Sequence, residues 1–224
     1  IGIPREVKNN EFRVGLTPGN VSGLCKQGHS VLVQRGAGEQ IGLTDESYRI
    51  AGASLINSAA EVFHRAEMIV KVKEPQAQEC AMLREDQILF TYLHLAPDPK
   101  QTKALLDSGA TCIAYETVTD CRGGLPLLAP MSEVAGRLAT QVGAHTLMRA
   151  QGGRGVLLGG VAGVHAAKVV VLGAGVAGVN AAAIALGMQA HVLVLDRSVA
   201  RLRQVDAQFN GQLQTVTSNQ FEIE

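Results

Sequence analysis

Two groups of residues in this 224-residue chain have the types and spacing for chemistry. The first is the run Lys168-Val169-Val170-Val171-Leu172 leading into Gly173-Ala174-Gly175-Val176-Ala177-Gly178. In this G-x-G-x-x-G pattern Gly173 permits a tight turn, and Gly175 lets the backbone approach a pyrophosphate. Gly178 lets the following helix lie close to the strand. That helix aims its free N–H groups and the positive end of its dipole at the phosphates. A second apolar run, Val192 to Leu195, then ends on Asp196, where a carboxylate can accept both ribose hydroxyls. A glycine-rich turn alone would explain the glycines but not that acid, so the expectation is a dinucleotide site.

The second group is scattered. Arg13 follows a polar loop after the apolar start Ile1-Gly2-Ile3. Lys73 ends the run Met68 to Lys73, and Tyr92 and His94 end the run Ile88 to Leu93. Ligands of open α/β sheets bind outside the carboxyl ends of the strands. Arg13 offers a planar fork for a carboxylate and Lys73 a second positive charge. His94 carries an imidazole, which can exchange a proton with a carbonyl or hydroxyl oxygen. Spacing by itself also leaves these residues readable as solvated charges and a structural histidine. His29, His64, His145, His165 and His191 lack even that setting.

The elements that must position these groups alternate. Helices are expected at Pro18 to Gly28, Asp45 to Ala51, from Ser58, Gln76 to Arg84 and Pro99 to Ser108. Strands are expected at His29 to Gln34, Met68 to Lys73, Ile88 to Leu93 and Thr111 to Glu116. Strands alternating with helices imply a parallel, doubly wound sheet. After the turn-rich stretch 120–125, a long helix from Met131 to about Arg149 carries Val134, Leu138, Val142 and Leu147 on one face. With the glycine-rich stretch 151–155 it reads as an interdomain connector. Strands at Lys168 to Leu172, His191 to Asp196 and Gln212 to Val216 supply one mononucleotide-binding half. The fold class is thus α/β, with two doubly wound parallel-sheet domains. Residues 1–130 form the first, and residues 131–224 form the second, an incomplete Rossmann-type domain.

Composition excludes several classes. The chain is 46% hydrophobic and 18% charged, enough apolar material for a sizeable core. Lys plus Arg and Asp plus Glu both number 20, so no long-range field favours nucleic acid or a membrane surface. No apolar run has the length of a membrane helix. The charged start has no secretory core. Cys25, Cys80, Cys112 and Cys121 show no metal-like spacing and read as free thiols of a reducing cytosol. The missing initiator Met leads us to expect a trimmed or partial chain.

The segments IGIPREVKNNEFRVGLTP, IVKVKEP, ILFTYLHLA, AYETV, LPLLAPMSEVAGRLATQVGA, GGRGVLLGGV and KVVVLGAGVAG together resemble the bacterial alanine dehydrogenases. The resemblance runs nearly from end to end. It implies a cytoplasmic oxidoreductase of L-alanine catabolism, converting L-alanine, water and NAD to pyruvate, ammonia and NADH, usually as a homohexamer. It puts carboxylate binding on Arg13 and Lys73, with Tyr92 beside the catalytic His94. It puts cofactor contacts on Ser132, the turn Gly173, Ala174, Gly175, Val176, Ala177 and Gly178, then Asp196, Arg201 and Ser218. Ala174 stands where glycine is frequent in the family, and Gln189 and His191 also depart from its pattern. Arg197 beside Asp196 would suit a 2′-phosphate, but Asp196 repels one, so NAD is expected. A second catalytic acid is expected beyond Glu224, which would leave this stretch inactive alone. Three rivals are the NAD-binding part of a proton-translocating nicotinamide nucleotide transhydrogenase, a saccharopine-type dehydrogenase and a non-catalytic NAD-binding or regulatory protein, which would leave Arg13, Lys73 and His94 without a purpose. The first needs neither the cation pair nor the histidine.

Overall fold

Short apolar runs joined by helices pair in parallel, because each helix carries the chain back to the edge from which the next strand starts. The computed structural model describes residues 1–223 and shows two such sheets. They belong to two units, Ile1–Leu125 and the residues from Pro126 onward.

The first unit runs β1 (Gly2–Ile3), α1 (Pro18–Lys26), β2 (Leu32–Gln34), α2 (Asp45–Ile50), β3 (Ser54–Ile56) and α3 (Ala59–Arg65). It continues with β4 (Met68–Val70), α4 (Ala77–Cys80), β5 (Ile88–Thr91), α5 (Pro99–Ser108) and β6 (Thr111–Ala114). The six strands pair in parallel in the order β3-β2-β1-β4-β5-β6. The order reverses between β1 and β4, which is where such sheets open a crevice. Two apolar clusters support it. Ile3, Val21, Val31, Val33 and Tyr48 form one, and Ile69, Leu89, Val62, Phe63 and Leu105 belong to the other. Helix starts are capped by side chains: Thr17 accepts from Asn20 N, Ser58 from Glu61 N, and Asp98 from Gln101 N ahead of Pro99.

Several sequence expectations need correction here. No strand was expected at Ser54–Ile56, an edge strand too short for an alternating pattern to show. The strand at Met68 stops at Val70, so Lys73 lies in the bend beyond it. Likewise β5 stops at Thr91, and Tyr92 and His94 follow it in irregular backbone. The helix expected over 76–84 is four residues long.

The second unit contains α6 (Ala129–Thr146), β7 (Lys168–Leu172), α7 (Val176–Gly187), β8 (His191–Asp196), α8 (Val199–Gln208), β9 (Gln214–Thr217) and α9 (Gln220–Ile223). Its three strands pair in parallel in the order β7-β8-β9. Helix α6 does not bury the stripe expected from its sequence, since Val134, Leu138 and Val142 are exposed. It buries Gly136 and Thr140 against α7 instead. A Cβ on Gly136 would strike the Ala177 carbonyl, and Thr140 Oγ1 donates to Ala181 O at 2.9 Å. Small residues win because they let two backbones approach. The glycine-rich stretch 151–155 lies inside this unit and folds back on the end of α6: Gly153 N donates to Met148 O at 3.1 Å and Gly155 N to Leu147 O at 2.9 Å.

Candidate functional site

In the first unit the side chains singled out in the sequence gather at the carboxyl ends of β1, β4 and β5. The loop leaving β1 brings Arg13, whose Nε and Nη2 bind the Glu11 carboxylate at 2.8 and 2.5 Å. This fork holds the Glu11 carboxyl below the usual range, and the Lys73 charge adds to the effect. The same pairing raises the Arg13 pKa, and its guanidinium also sits in the field of Tyr92. The bend after β4 carries Lys73, half-buried. The segment after β5 carries Tyr92, whose ring stacks on His94 with centroids 5.9 Å apart and planes 18° from parallel. The edge of Tyr115 meets Tyr92 at 5.0 Å. Burial pushes the Tyr92 phenol up, against the pull of Arg13.

His94 has a left-handed backbone, φ 47°. For a histidine that conformation costs about 1–3 kcal/mol and persists only where neighbours impose it. Glu116 imposes it: its Oε1 accepts from His94 N at 2.7 Å and from Leu93 N at 3.0 Å. Burial works to raise the Glu116 pKa, but those two N–H groups help bring it below the ordinary value. The exposed imidazole places Nδ1 3.4 Å from Glu74 Oε2, while Glu74 Oε1 pairs with Lys8. With Nδ1 facing Glu74, Nε2 on the far side of the ring points away from it. Glu6, Glu11, Glu74, Glu116 and Lys71 were not singled out in the sequence. The signal was there in part, since Glu11 and Glu74 flank the two expected cations.

The second unit holds the glycine turn. Gly173 has φ 102°, a value that demands glycine. A Cβ on Gly178 would strike the Gly173 carbonyl, whereas one on Gly175 would meet open space. Helix α7 starts at Val176, and its first-turn N–H groups have no intrahelical acceptors. Asp196 ends β8, with Oδ2 accepting from Ala174 N and Oδ1 from Ser198 N, each at 2.7 Å. Those bonds, that from Ser198 first, hold its carboxyl below the ordinary value. Each oxygen keeps lone-pair capacity for a hydroxyl donor. Arg201 Nε donates to Ala174 O at 2.7 Å, and Ser218 N donates to Asp196 O at 2.9 Å. Ser132 lies in the first turn of α6, one turn before the Gly136 contact with α7. Open space over Gly175, unsatisfied helix N–H groups and an acid at the strand end fit a dinucleotide. Among the described residues no cluster of His, Cys, Asp and Glu could hold a metal, and no helix is long and apolar enough to cross a membrane.

Comparison with known proteins agrees with this geometry. The family described as "Alanine dehydrogenase/PNT, N-terminal domain" matches residues 2–135, and "Alanine dehydrogenase/PNT, C-terminal domain" matches residues 139–224. The alanine dehydrogenase of Mycobacterium tuberculosis is 59% identical over 224 residues, covering 100% of this chain and 60% of the relative. That of Bacillus subtilis is 52% identical over 223 residues, covering 100% of this chain and 58% of its own length. A solved L-alanine dehydrogenase superposes with a TM-score of 0.91 at 49% identity, covering 99% of this chain and 61% of that one. A transhydrogenase from Sinorhizobium meliloti superposes less closely, with a TM-score of 0.79 at 28% identity over 99% of this chain and 62% of its own. The chain therefore spans about 60% of the length of the curated relatives it matches, and it belongs to the alanine dehydrogenase/PNT family.

Proposed function

We propose that this chain forms the N-terminal part of a cytoplasmic, homohexameric, NAD-dependent alanine dehydrogenase. The complete enzyme interconverts L-alanine, water and NAD with pyruvate, ammonia and NADH, in L-alanine catabolism. The observation that carries the reading is the meeting of Arg13, Lys73, Tyr92 and His94 at the carboxyl ends of β1, β4 and β5, in a chain 59% identical to an alanine dehydrogenase. Residues 1–130 serve substrate and residues 131–224 serve the cofactor.

Arg13 and Lys73 hold the substrate carboxylate, Arg13 through its planar fork and Lys73 as a point charge. Fixing the substrate in this way can remove about 7–11 kcal/mol of barrier in favourable cases. His94 gives and takes the proton at the oxygen that the α-carbon gains, a role worth roughly 10²–10⁴-fold. Tyr92 backs the imidazole ring. Glu74 orients it, and Glu116 fixes its backbone. The cofactor is held by the turn from Gly173 to Gly178 with Asp196, Arg201, Ser218 and Ser132. When bound, NAD supplies the acceptor for the substrate hydride.

The test is turnover by the full-length protein with L-alanine and NAD, and the reverse with pyruvate, ammonia and NADH. Saccharopine and NADP serve as competitors. Turnover of L-alanine with NAD is expected, and its absence would overturn the reading. The likeness to a transhydrogenase supplies the rival. Hydride exchange between two nicotinamide nucleotides without amino acid turnover would favour it.

A further inference from the structure

The first unit also holds a buried cluster that the mechanism above does not use. Lys71, Glu6 and Glu79 are all buried, with Lys71 among the most enclosed side chains of its unit. Lys71 Nζ donates to Glu6 Oε2 at 3.2 Å and pairs with Glu79 Oε1 at 2.7 Å. Buried charges are costly unless paired, and one carboxylate would neutralise one ammonium. Two carboxylates leave an excess negative charge in the interior, so the second needs another reason.

The backbone supplies that reason. Strands β1 and β4 share the pair Gly2↔Ile69, and β4 ends at Val70 where the two chains part. Parting strands orphan the amides just beyond the last pair, and a buried amide without an acceptor costs about 1–3 kcal/mol. Glu6, on the loop leaving β1, fills the gap: Oε1 accepts from Val72 N at 2.7 Å and Oε2 from Lys73 N at 3.4 Å. From the other side Thr91 Oγ1, fully buried, donates to Lys73 O at 2.9 Å. Residue 73 is thus gripped at its N–H from β1 and at its C=O from β5. Glu79, by contrast, makes no such contact; its Oε2 accepts from Gln76 N at 2.9 Å and caps α4.

We infer that Glu6, with Thr91 opposite it, is a positioning residue for substrate binding: together they fix the backbone of Lys73 and so aim its ammonium at the substrate carboxylate. This rests on the reading that Lys73 binds substrate. A misplacement of about 1 Å near a reacting group can cost about 100-fold, so partial loss of the grip should be felt in kcat/KM for pyruvate.

The experiment compares Glu6→Gln, Glu79→Gln, Thr91→Val and Lys73→Ala in the full-length enzyme, recording melting temperature with KM for pyruvate and for NADH. Glu6→Gln and Glu79→Gln each remove one partner of Lys71 and should lower the melting temperature alike. Only Glu6→Gln should raise KM for pyruvate, by about tenfold, with KM for NADH unchanged and kcat moved less. Thr91→Val keeps the side-chain shape and loses the hydroxyl. It should raise the same KM severalfold, and it decides the matter should Glu6→Gln fail to fold. A raised KM in Lys73→Ala beside an unchanged one in Glu6→Gln or Thr91→Val would overturn the positioning role alone, as would an equal rise in Glu79→Gln. An unchanged KM in Lys73→Ala would instead overturn the substrate assignment beneath it, and the inference with it.

Discussion

The two candidate sites are built on opposite plans. In the glycine turn the working groups are mostly backbone, and the longest bond to it named above, Arg201 Nε to Ala174 O, spans 27 positions. At the switch between β1 and β4 the working groups are side chains, and the bonds that hold them, such as Val72 N to Glu6, span 66 positions. A backbone site is robust because its geometry follows from a local strand–turn–helix. A side-chain site can be tuned residue by residue, but apart from Arg13, which Glu11 holds from two positions away, its aims depend on distant partners. Chemistry that must discriminate a small substrate belongs on the second plan, and binding a constant pyrophosphate on the first.

The largest expected effect tests whether the plans are functionally separate. His94→Ala in the full-length enzyme should lower kcat by roughly 10²–10⁴-fold. NAD affinity should stay as it was, because the turn and Asp196 belong to the other unit. Kinetics and NAD titration on one variant measure both. A modest loss of kcat with a lowered melting temperature would make His94 structural, its φ of 47° then serving only the bend after β5.

That same contrast explains what the sequence revealed. The turn was legible because a missing Cβ is written as a letter: Gly173 needs its positive φ, and Gly178 has no room for a methyl group. Lys73 and His94 are legible as types at the ends of apolar runs, and Arg13 as a type after the polar loop that follows β1, but the apolar runs are longer than the strands they form. The structure ends β4 at Val70 and β5 at Thr91. Glu6, Glu74 and Glu116 were not legible, because nothing local distinguishes an acid that caps another strand from a solvated one. The packing face of α6 was misread for a related reason. Large apolar residues mark a buried face in most helices, yet here Gly136 and Thr140 are buried through close backbone approach.

A methyl group tests the backbone plan directly. Gly178→Ala should force α7 away from β7, since the new Cβ would strike the Gly173 carbonyl. Overpacking of this kind costs about 1–3 kcal/mol. Amide exchange should speed up in β7 and α7 and not in β1 to β6, and NAD binding should weaken while pyruvate protection of the first unit persists. Equal loosening of both units would erase the distinction between the two plans.

A smaller effect sharpens it. On the proposed reading Asp196 is the side chain of the turn that favours NAD over NADP. Asp196→Ala should weaken NAD by about tenfold and change NADP little, narrowing the preference. Equal use of both cofactors by the unaltered enzyme would mean that Arg197 outweighs Asp196. The Ala174 N–H also loses its acceptor in this variant, so a shift in the turn, seen by NMR, should accompany the loss.

The smallest effect concerns acid stability, and it separates two carboxylates of one loop by sign. Arg13 holds the Glu11 carboxyl low, whereas burial pushes the Glu6 carboxyl up despite Lys71. A group with a lowered folded pKa stabilises above its unfolded value, about 4.3 for glutamate, and loses that contribution as pH falls through the folded value. A raised folded pKa works the other way: the contribution is full below the unfolded value and disappears as pH rises through the folded one. The melting temperature of the unaltered protein minus that of Glu11→Gln should therefore shrink as pH falls from about 6 to about 3. The same difference taken against Glu6→Gln should grow over that range. Asp196, held low by the N–H groups of Ser198 and Ala174, should follow Glu11 when replaced by Asn. Two curves of like slope for Glu11 and Glu6 would mean that Glu6 is held in charged form by Lys71 more firmly than burial opposes it. The loop would then be pinned by charge at the switch point, and its amide contacts would be secondary.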